Sequence, residues 1–262
     1  MLAAPVPKGK LFFNPSARHN RRVNGAFLNA LGILTGALVG LVWRAPLSAR
    51  LQNFFRRALG VATVFFGLRL VWLHVNGTFW PCAKQMLIAS LAVVLGNWTG
   101  RLLRLQKISN RLGRFAGDLM KSPSAGAARR PGDGFTACTI LFCAAPLGLL
   151  GAVTDGLAGD FYLLAVKAVM DALAMTGFVK MFGWSCALAA FPVFLVLGAA
   201  TLACQFYAKP LLDAQGLGDS VNVAGGLIAT AIALVIFEIR KVELANYLPG
   251  LALAPLLTWL FN

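Results

Sequence analysis

The run FYLLAVKAVMDALAMTGF, residues 161–178, places a lysine and an aspartate deep inside an otherwise apolar segment. Lys167 and Asp171 are four residues apart, so on a helix both side chains lie on one face, and Asp160 precedes the run on the same stripe. In a membrane, an ionised group near the middle costs roughly 2.5–3.5 kcal/mol on insertion scales, so such groups face the protein interior and are paired. We therefore predict that Lys167 and Asp171 form a buried pair and are the first candidates for a functional site.

The overall composition decides whether this run crosses a membrane. Hydrophobic residues make up 58% of the 262-residue chain, charged residues only 13%, and the mean hydropathy is +0.73. An ordinary soluble domain is far less apolar. The sequence therefore predicts an all-α, polytopic integral membrane protein with the lipid bilayer as its principal partner.

The strong positive charge and the positions of the cysteines are also typical of an integral membrane protein. Lys and Arg number 24 against 9 Asp and Glu, a formal net charge of +15, and the basic residues lie mainly between the apolar runs. We attribute this pattern to the positive-inside bias and to anionic lipid headgroups, and we predict no nucleic-acid partner. The five cysteines lie in or at the ends of apolar runs without a C-x-x-C pair, which predicts packing residues and neither a metal site nor a cofactor.

Hydropathy and turn signals predict about eight transmembrane helices, with seven to nine compatible with the pattern. The predicted crossings are Gly25–Trp43, Ala58–Val75, Trp80–Trp98, Phe135–Val153, the run 161–178, Trp184–Tyr207, Ser220–Ile239 and Asn246–Phe261. Pro146 and several glycines predict that the fourth crossing is kinked or broken. The connection 154–160 is acidic, and we interpret it as a tight turn or a short re-entrant element.

The chain divides into four segments. Residues 1–24 form a basic N-terminal extension without an apolar core long enough for a signal peptide, residues 25–100 carry helices 1–3, and residues 134–262 carry helices 4–8. Between them, residues 101–133 alternate basic and apolar side chains and then become small and polar. This pattern predicts an amphipathic helix on the membrane surface, followed by a flexible linker.

Glycines mark candidate packing faces in two places. Gly32, Gly36 and Gly40 repeat every four residues in the first crossing, and Gly225 with Gly226 opens the seventh. A face of small residues lets another helix approach closely, so we predict helix packing, with a pore or substrate wall as the alternative. Such faces also suggest a homo-oligomer.

Further polar residues lie within or beside the apolar runs. Arg69 is interpreted as a counter-ion to Asp171 or to a substrate anion, or as a side chain that reaches outward to the interface. Asn97 is either a ligand group or a helix-end hydrogen-bonding group beside a tryptophan. Asn222 and Asp155 complete the set of candidate transport residues.

The distribution of basic residues predicts an orientation. In an eight-helix arrangement the basic loops all lie on one side and the acidic 154–160 connection lies on the other, which places both termini outside. The basic N-terminal extension is the one region that contradicts this orientation. A similarity between ALGVAT (58–63) and AGGLIAT (224–230) suggests that helices 1–3 and 6–8 form an inverted repeat.

Several spaced motifs resemble one bacterial family of multi-pass membrane proteins, the YdfK/YqgA-like family or domain of unknown function 554. They are LFC (141–143), LGAVTDGLAGD (150–160), KAVMDA (167–172), VAGGL (223–227), NYLP (246–249) and APL (254–256). The resemblance covers about Asn24 to Phe261 and implies a bacterial membrane or transport protein without an assigned substrate. The basic extension before Asn24 departs from the family pattern, in which the first apolar helix begins almost at once.

Three function classes agree with these observations. The first is a secondary transporter of a small solute or ion, in which Asp171 binds a proton or cation and Lys167 alternates as its internal counter-charge. The second is an ion channel lined by glycine faces and Asn or Thr groups. The third is a non-transporting membrane scaffold in which the pair fixes helix register. We predict no enzyme, because the sequence contains no nucleophile–histidine–acid set, metal cluster or phosphate loop.

Overall fold

The structure is a computed structural model that describes residues 23–43, 48–121, 131–240 and 242–261. Its regular elements are helices, and the described ranges contain no strand, so the predicted all-α class is confirmed. The α-helices are α1 Asn24–Val42, α2 Ala49–His74, α3 Phe79–Leu102, α4 Leu105–Lys121, α5 Pro131–Cys143, α6 Pro146–Ala158, α7 Tyr162–Phe182, α8 Ala190–Ala203, α9 Lys209–Ala214, α10 Gly218–Ile236 and α11 Gly250–Phe261. Short 3-10 helices cover Trp184–Ala189 and Leu244–Tyr247, and a π-helical turn covers Cys204–Ala208.

Six helical segments of the described chain are long and apolar enough to cross a membrane, and the bent pair α5–α6 raises the number to seven. The six are Asn24–Val42, Phe79–Leu102, Tyr162–Phe182, Trp184–Ala214, Gly218–Ile236 and Leu244–Phe261. The protein is therefore a polytopic membrane protein. The count of eight stays a prediction, because it also requires α2 to cross the bilayer.

The fourth predicted crossing is not one helix. It is divided into α5 and α6, which meet at an angle of 56°. Pro146 is among the first residues of α6, where a backbone N–H would have no partner within the helix, so its absence does not destabilise α6. The same proline cannot continue the preceding helix, so α5 ends before it. The predicted acidic connection 154–160 is also shorter than expected, because α6 continues to Ala158 and ends at Gly159, whose φ of 69° suits a glycine.

Two other boundaries differ from the prediction. Asn97 lies inside α3 and not at a helix end, because α3 continues to Leu102. The surface segment contains α4, while α5 begins at Pro131, inside the predicted 101–133 segment. Residues 122–130 of the predicted linker, and residues 1–22 of the N-terminal extension, lie outside the described ranges.

The first glycine stripe lets α1 pack against the backbone of α7. A Cβ on Gly32 would lie 2.5 Å from the carbonyl oxygen of Ala168, and one on Gly40 would lie 2.8 Å from that of Thr176. Gly36, between them, is closer still to α7. Residue numbers rise together along both helices, so α1 and α7 are parallel.

A second close pair joins α2 and α10. A Cβ on Gly67 would lie 2.9 Å from the Gly226 carbonyl oxygen, and one on Gly226 would lie 2.5 Å from the Gly67 carbonyl oxygen. Gly60 contacts the ring of Phe237 further along, so these helices are antiparallel. They are the middle helices of the predicted inverted repeat, which stays a prediction.

The third pair is α3 with the segment that ends in α11, and it is also antiparallel. Gly96 lies against Gly250, and Gly100 lies against Asn246 of the preceding 3-10 helix. The three pairings together give the relative directions of the six helices involved. Helix α2 begins on the side where α1 ends and finishes beside the start of α7, so it runs between the same two sides as the six apolar segments.

Candidate functional site

The two charged side chains of the central run form an ion pair inside the bundle. The ammonium of Lys167 donates to the carboxylate Oδ2 of Asp171, and both residues lie on α7 at the i,i+4 spacing. Their side chains are only 2% and 9% exposed. Both charges are therefore removed from solvent and stabilise each other.

A third polar side chain, which the sequence reasoning missed, completes the cluster from α1. The amide Nδ2 of Asn29 donates to Oδ2 of Asp171 over 2.9 Å, and Asn29 is fully buried. The other amide atom, Oδ1, has no hydrogen-bond partner among the described residues. The available signal was an asparagine near the glycine stripe of an apolar helix, but its partner 142 residues away is not apparent from the sequence.

The break between α5 and α6 lies beside this cluster. The Lys167 ammonium is 5.7 Å from the centre of the Phe142 ring, near the end of α5. A Cβ on Gly148, in the first turn of α6, would lie 2.8 Å from Cε of Lys167. The lysine side chain therefore packs against residue 148, where glycine leaves room for it beside the break between α5 and α6.

The pair lies near the middle of its helix. Asp171 is the tenth residue of the 21-residue α7, counted from Tyr162. At 1.5 Å of rise per residue it is about 15 Å from either end, which is half the thickness of a bilayer's hydrocarbon core. Sites of secondary transporters are typically found at this depth.

A second ion pair lies nearer the start of α7. Arg69 of α2 donates to Oδ2 of Asp160 over 2.5 Å, so its partner is Asp160 and not Asp171. The guanidinium also lies 4.7 Å from the centre of the Tyr162 ring, which stacks on Phe66 at 4.6 Å. Asp160 precedes α7 and accepts from the Tyr162 amide over 3.2 Å, so it starts the helix instead of joining the Lys167–Asp171 pair.

Asp155 lies on α6 close to this turn. It is 6% exposed, and its Oδ2 accepts the backbone N–H of Gly25 in the first turn of α1 over 3.2 Å. The carboxylate therefore caps α1 from another helix, where the free N–H groups and the helix dipole favour a negative charge. The α1 residues Gly25 and Asn29 thus contact two different carboxylates, one turn apart.

Asn97 and Asn222 lie elsewhere, on α3 and α10. In each, the Oδ1 atom is buried and has no hydrogen-bond partner in the described part of the chain. Neither shares a hydrogen bond with the Lys167–Asp171 pair. Asn222 is buried and Asn97 is half-buried, and neither is bonded to the central cluster.

The candidate glycines contact other helices of the same chain. The stripe of α1 faces α7, and Gly226 faces α2. A Cβ added to Gly225 would lie 3.4 Å from the Thr154 side chain of α6. These faces are occupied within one protomer. They therefore give no support to the predicted homo-oligomer, which stays a prediction.

Comparison with known proteins agrees with this architecture. The family model described as "Protein of unknown function (DUF554)" matches residues 24–259. The "Uncharacterized membrane protein YdfK" of Bacillus subtilis (strain 168) is 25% identical over 238 residues, which cover 91% of this chain and 96% of that protein. The "Uncharacterized protein YqgA" of Escherichia coli (strain K12) is 27% identical over 233 residues, which cover 88% and 94%.

No solved structure matches the chain. The family match begins at the first residue of α1 and ends within α11, so it includes the helices that build the central cluster. From this match and the membrane architecture, we conclude that the chain is a polytopic membrane protein belonging to the DUF554 family.

Proposed function

We propose that this protein is a secondary transporter of a small solute or ion, and that Lys167 and Asp171 are its central transport residues. The observation that carries the proposal is a buried ion pair halfway along α7, beside a broken helix. A charge pair at that depth costs free energy relative to an apolar helix, so its presence needs a reason beyond membrane insertion.

The proposed mechanism uses competition for one carboxylate oxygen. Oδ2 of Asp171 accepts from both Lys167 and Asn29. A proton or cation that binds Asp171 displaces the Lys167 ammonium, which then turns toward another partner. Binding and release of the ligand would thereby change the packing of α7 against the break between α5 and α6.

We further propose an orientation in a bacterial inner membrane, with both termini on the periplasmic side. One side of the bundle contains the start of α2 and the ends of α3 and α10. This side carries most of the described basic residues: Arg50, Arg56, Arg57, Arg101, Arg104, Lys107, Arg111, Arg114, Lys180 and Arg240. By the positive-inside rule that side is cytoplasmic. The Arg69–Asp160 pair then lies toward the periplasm and the Lys167–Asp171 pair lies deeper.

A second candidate function is that of a non-transporting membrane scaffold. The close backbone contact of α1 with α7 at Gly32 and Gly36 favours it, because such packing holds the helices in one register. In that case the Lys167–Asp171 pair is a structural bridge. For both candidates we propose that the protein is not an enzyme.

A thermal-shift screen of the purified protein against protons, ions and small metabolites separates these candidates, with Asp171→Asn run in parallel. For a transporter, a ligand raises the melting temperature of the wild type and has no effect on a folded Asp171→Asn variant. For a scaffold, both proteins give the same flat response and the variant melts at a lower temperature, because Lys167 is left buried without its partner.

A further inference from the structure

One buried carboxylate lacks a cationic partner. Asp155 is 6% exposed, and its Oδ2 accepts a hydrogen bond from the uncharged backbone N–H of Gly25. No lysine, arginine or histidine of the described residues forms an ion pair with it. A buried negative charge is costly, and the N-terminus of α1 offsets only part of that cost.

Two buried oxygens on the neighbouring helix also lack partners. Thr201 of α8 is fully buried, and its hydroxyl Oγ1 makes no hydrogen bond within the described ranges. Oε1 of Gln205, in the π-helical turn that follows, is buried and unpartnered as well. Buried polar atoms are nearly always satisfied, so two such atoms one helical turn apart are candidates for binding a ligand.

The packing brings together the stretches of backbone that carry these groups. A Cβ on Gly156, the residue after Asp155, would lie 2.5 Å from the carbonyl oxygen of Thr201 and 3.3 Å from the backbone nitrogen of Gln205. One turn earlier on α8, a Cβ on Gly198 would lie 3.9 Å from Ala26, next to the residue that Asp155 caps. Residues 198, 201 and 205 therefore share the face of α8 that meets both α6 and the start of α1.

The backbone on the α6 side of these groups favours positive charge. α6 ends at Ala158, three residues after Asp155, and the carbonyl end of a helix carries a partial negative charge. The π-helical turn Cys204–Ala208 interrupts α8, and interruptions of this type are frequent at functional sites. Lys209 already donates to one of the last carbonyls of α6, that of Leu157, over 2.9 Å.

We propose that Asp155, Thr201 and Gln205 bind a monovalent alkali cation between α6 and α8. The three side chains supply one carboxylate and two neutral oxygens, so a single positive charge is balanced. Divalent metal sites use more carboxylates, and the described residues contain no group of three His, Cys, Asp or Glu side chains that could hold a metal ion. This site is separate from the Lys167–Asp171 pair, and its existence does not depend on transport.

The test is the melting temperature of the purified full chain in NaCl or KCl, compared with choline chloride at equal ionic strength. We expect Na⁺ or K⁺ to stabilise the wild type, with half-saturation at least tenfold weaker in Thr201→Val and no response in Asp155→Asn, in which the amide oxygen can still accept the Gly25 N–H. Thr63→Val is the matched control, because Thr63 is fully buried but its hydroxyl donates to Leu59 over 2.7 Å. This control should keep the wild-type response.

Three results would overturn the proposal. The first is equal melting of the wild type in all three salts. The second is an undiminished cation response in Asp155→Asn, and the third is a response that Thr63→Val loses as fully as Thr201→Val. If Asp171→Asn abolishes the response while Asp155→Asn keeps it, the cation binds at the central pair instead, and the transporter proposal survives the failure of this one.

Discussion

The close packing of α1 against α7 predicts that one added methyl group at their interface destabilises the protein. In Gly36→Ala the new Cβ would overlap three backbone atoms of α7, namely the O, Cα and C atoms of Ala172. Backbone atoms of a helix cannot move aside as a side chain can, so the two helices must separate. Because Asn29 lies two turns earlier on α1, this separation also weakens its hydrogen bond to Asp171.

The expected change in the free energy of unfolding is the sum of two opposing effects, an overpacking cost and a gain in helix propensity. Overpacking a well-packed core costs about 1–3 kcal/mol, and contact with backbone atoms alone places Gly36→Ala at the upper end of that range. Replacing glycine by alanine in a helix gains about 1 kcal/mol of helix propensity. We therefore expect a net loss of about 2 kcal/mol in the free energy of unfolding.

Gly177→Ala is the matched control, since Gly177 lies in α7 and a Cβ there would meet nothing within 4 Å. It should keep the propensity gain, so the two variants should differ by about 3 kcal/mol with opposite signs relative to wild type. The assay is reversible denaturant unfolding in a fixed detergent. If Gly36→Ala proves as stable as Gly177→Ala, then α1 does not lie in backbone contact with α7 and the derived packing is wrong.

Three further predictions concern individual polar contacts. Asn29→Ala removes a hydrogen bond to a charged group and should lower the free energy of unfolding by about 1.5–3 kcal/mol, measured by the same denaturant assay; an unchanged midpoint would contradict its bond to Asp171. Arg69→Lys keeps the charge but loses the guanidinium contact with the Tyr162 ring, and should lower the free energy of unfolding by about 0.5–2 kcal/mol in the same assay, whereas a gain would count against that contact. Gln106→Ala should speed amide exchange in α4, because the side chain accepts from the 3-10 helix before α11 over 3.1 Å; equal exchange in both proteins would show that this bond does not hold α4.

Much of the helical architecture follows from local sequence patterns. The apolar runs predicted most of the membrane helices to within a few residues, and Pro146 predicted the break in the fourth crossing. Two boundaries were missed by more, because α2 begins at Ala49 and not at Ala58, and the span from Trp184 continues to Ala214. The pairing of Lys167 with Asp171 was also predictable, because their spacing within one helix determines it. Each of these features depends on residues close together in the chain.

The remaining features depend on which helices become neighbours. Nothing in the sequence near Asn29 indicates that Asp171 is its partner, and the choice of Asp160 by Arg69 depends on how α2 lies beside the start of α7. The assignment of Asp155 to a loop has a different cause, which is local. The helix that contains it ends only at Gly159, because a glycine with a positive φ terminates it.

The parallel pairing of α1 and α7 has a consequence for biogenesis. The polar partner of Asn29 is 142 residues later in the chain, so α1 leaves the ribosome long before Asp171 is synthesised. During that interval the amide of Asn29 has no access to the carboxylate that it binds in the finished protein. Final docking of the first helix must therefore follow the synthesis of the seventh, and truncation before α7 should leave α1 inserted but unassembled.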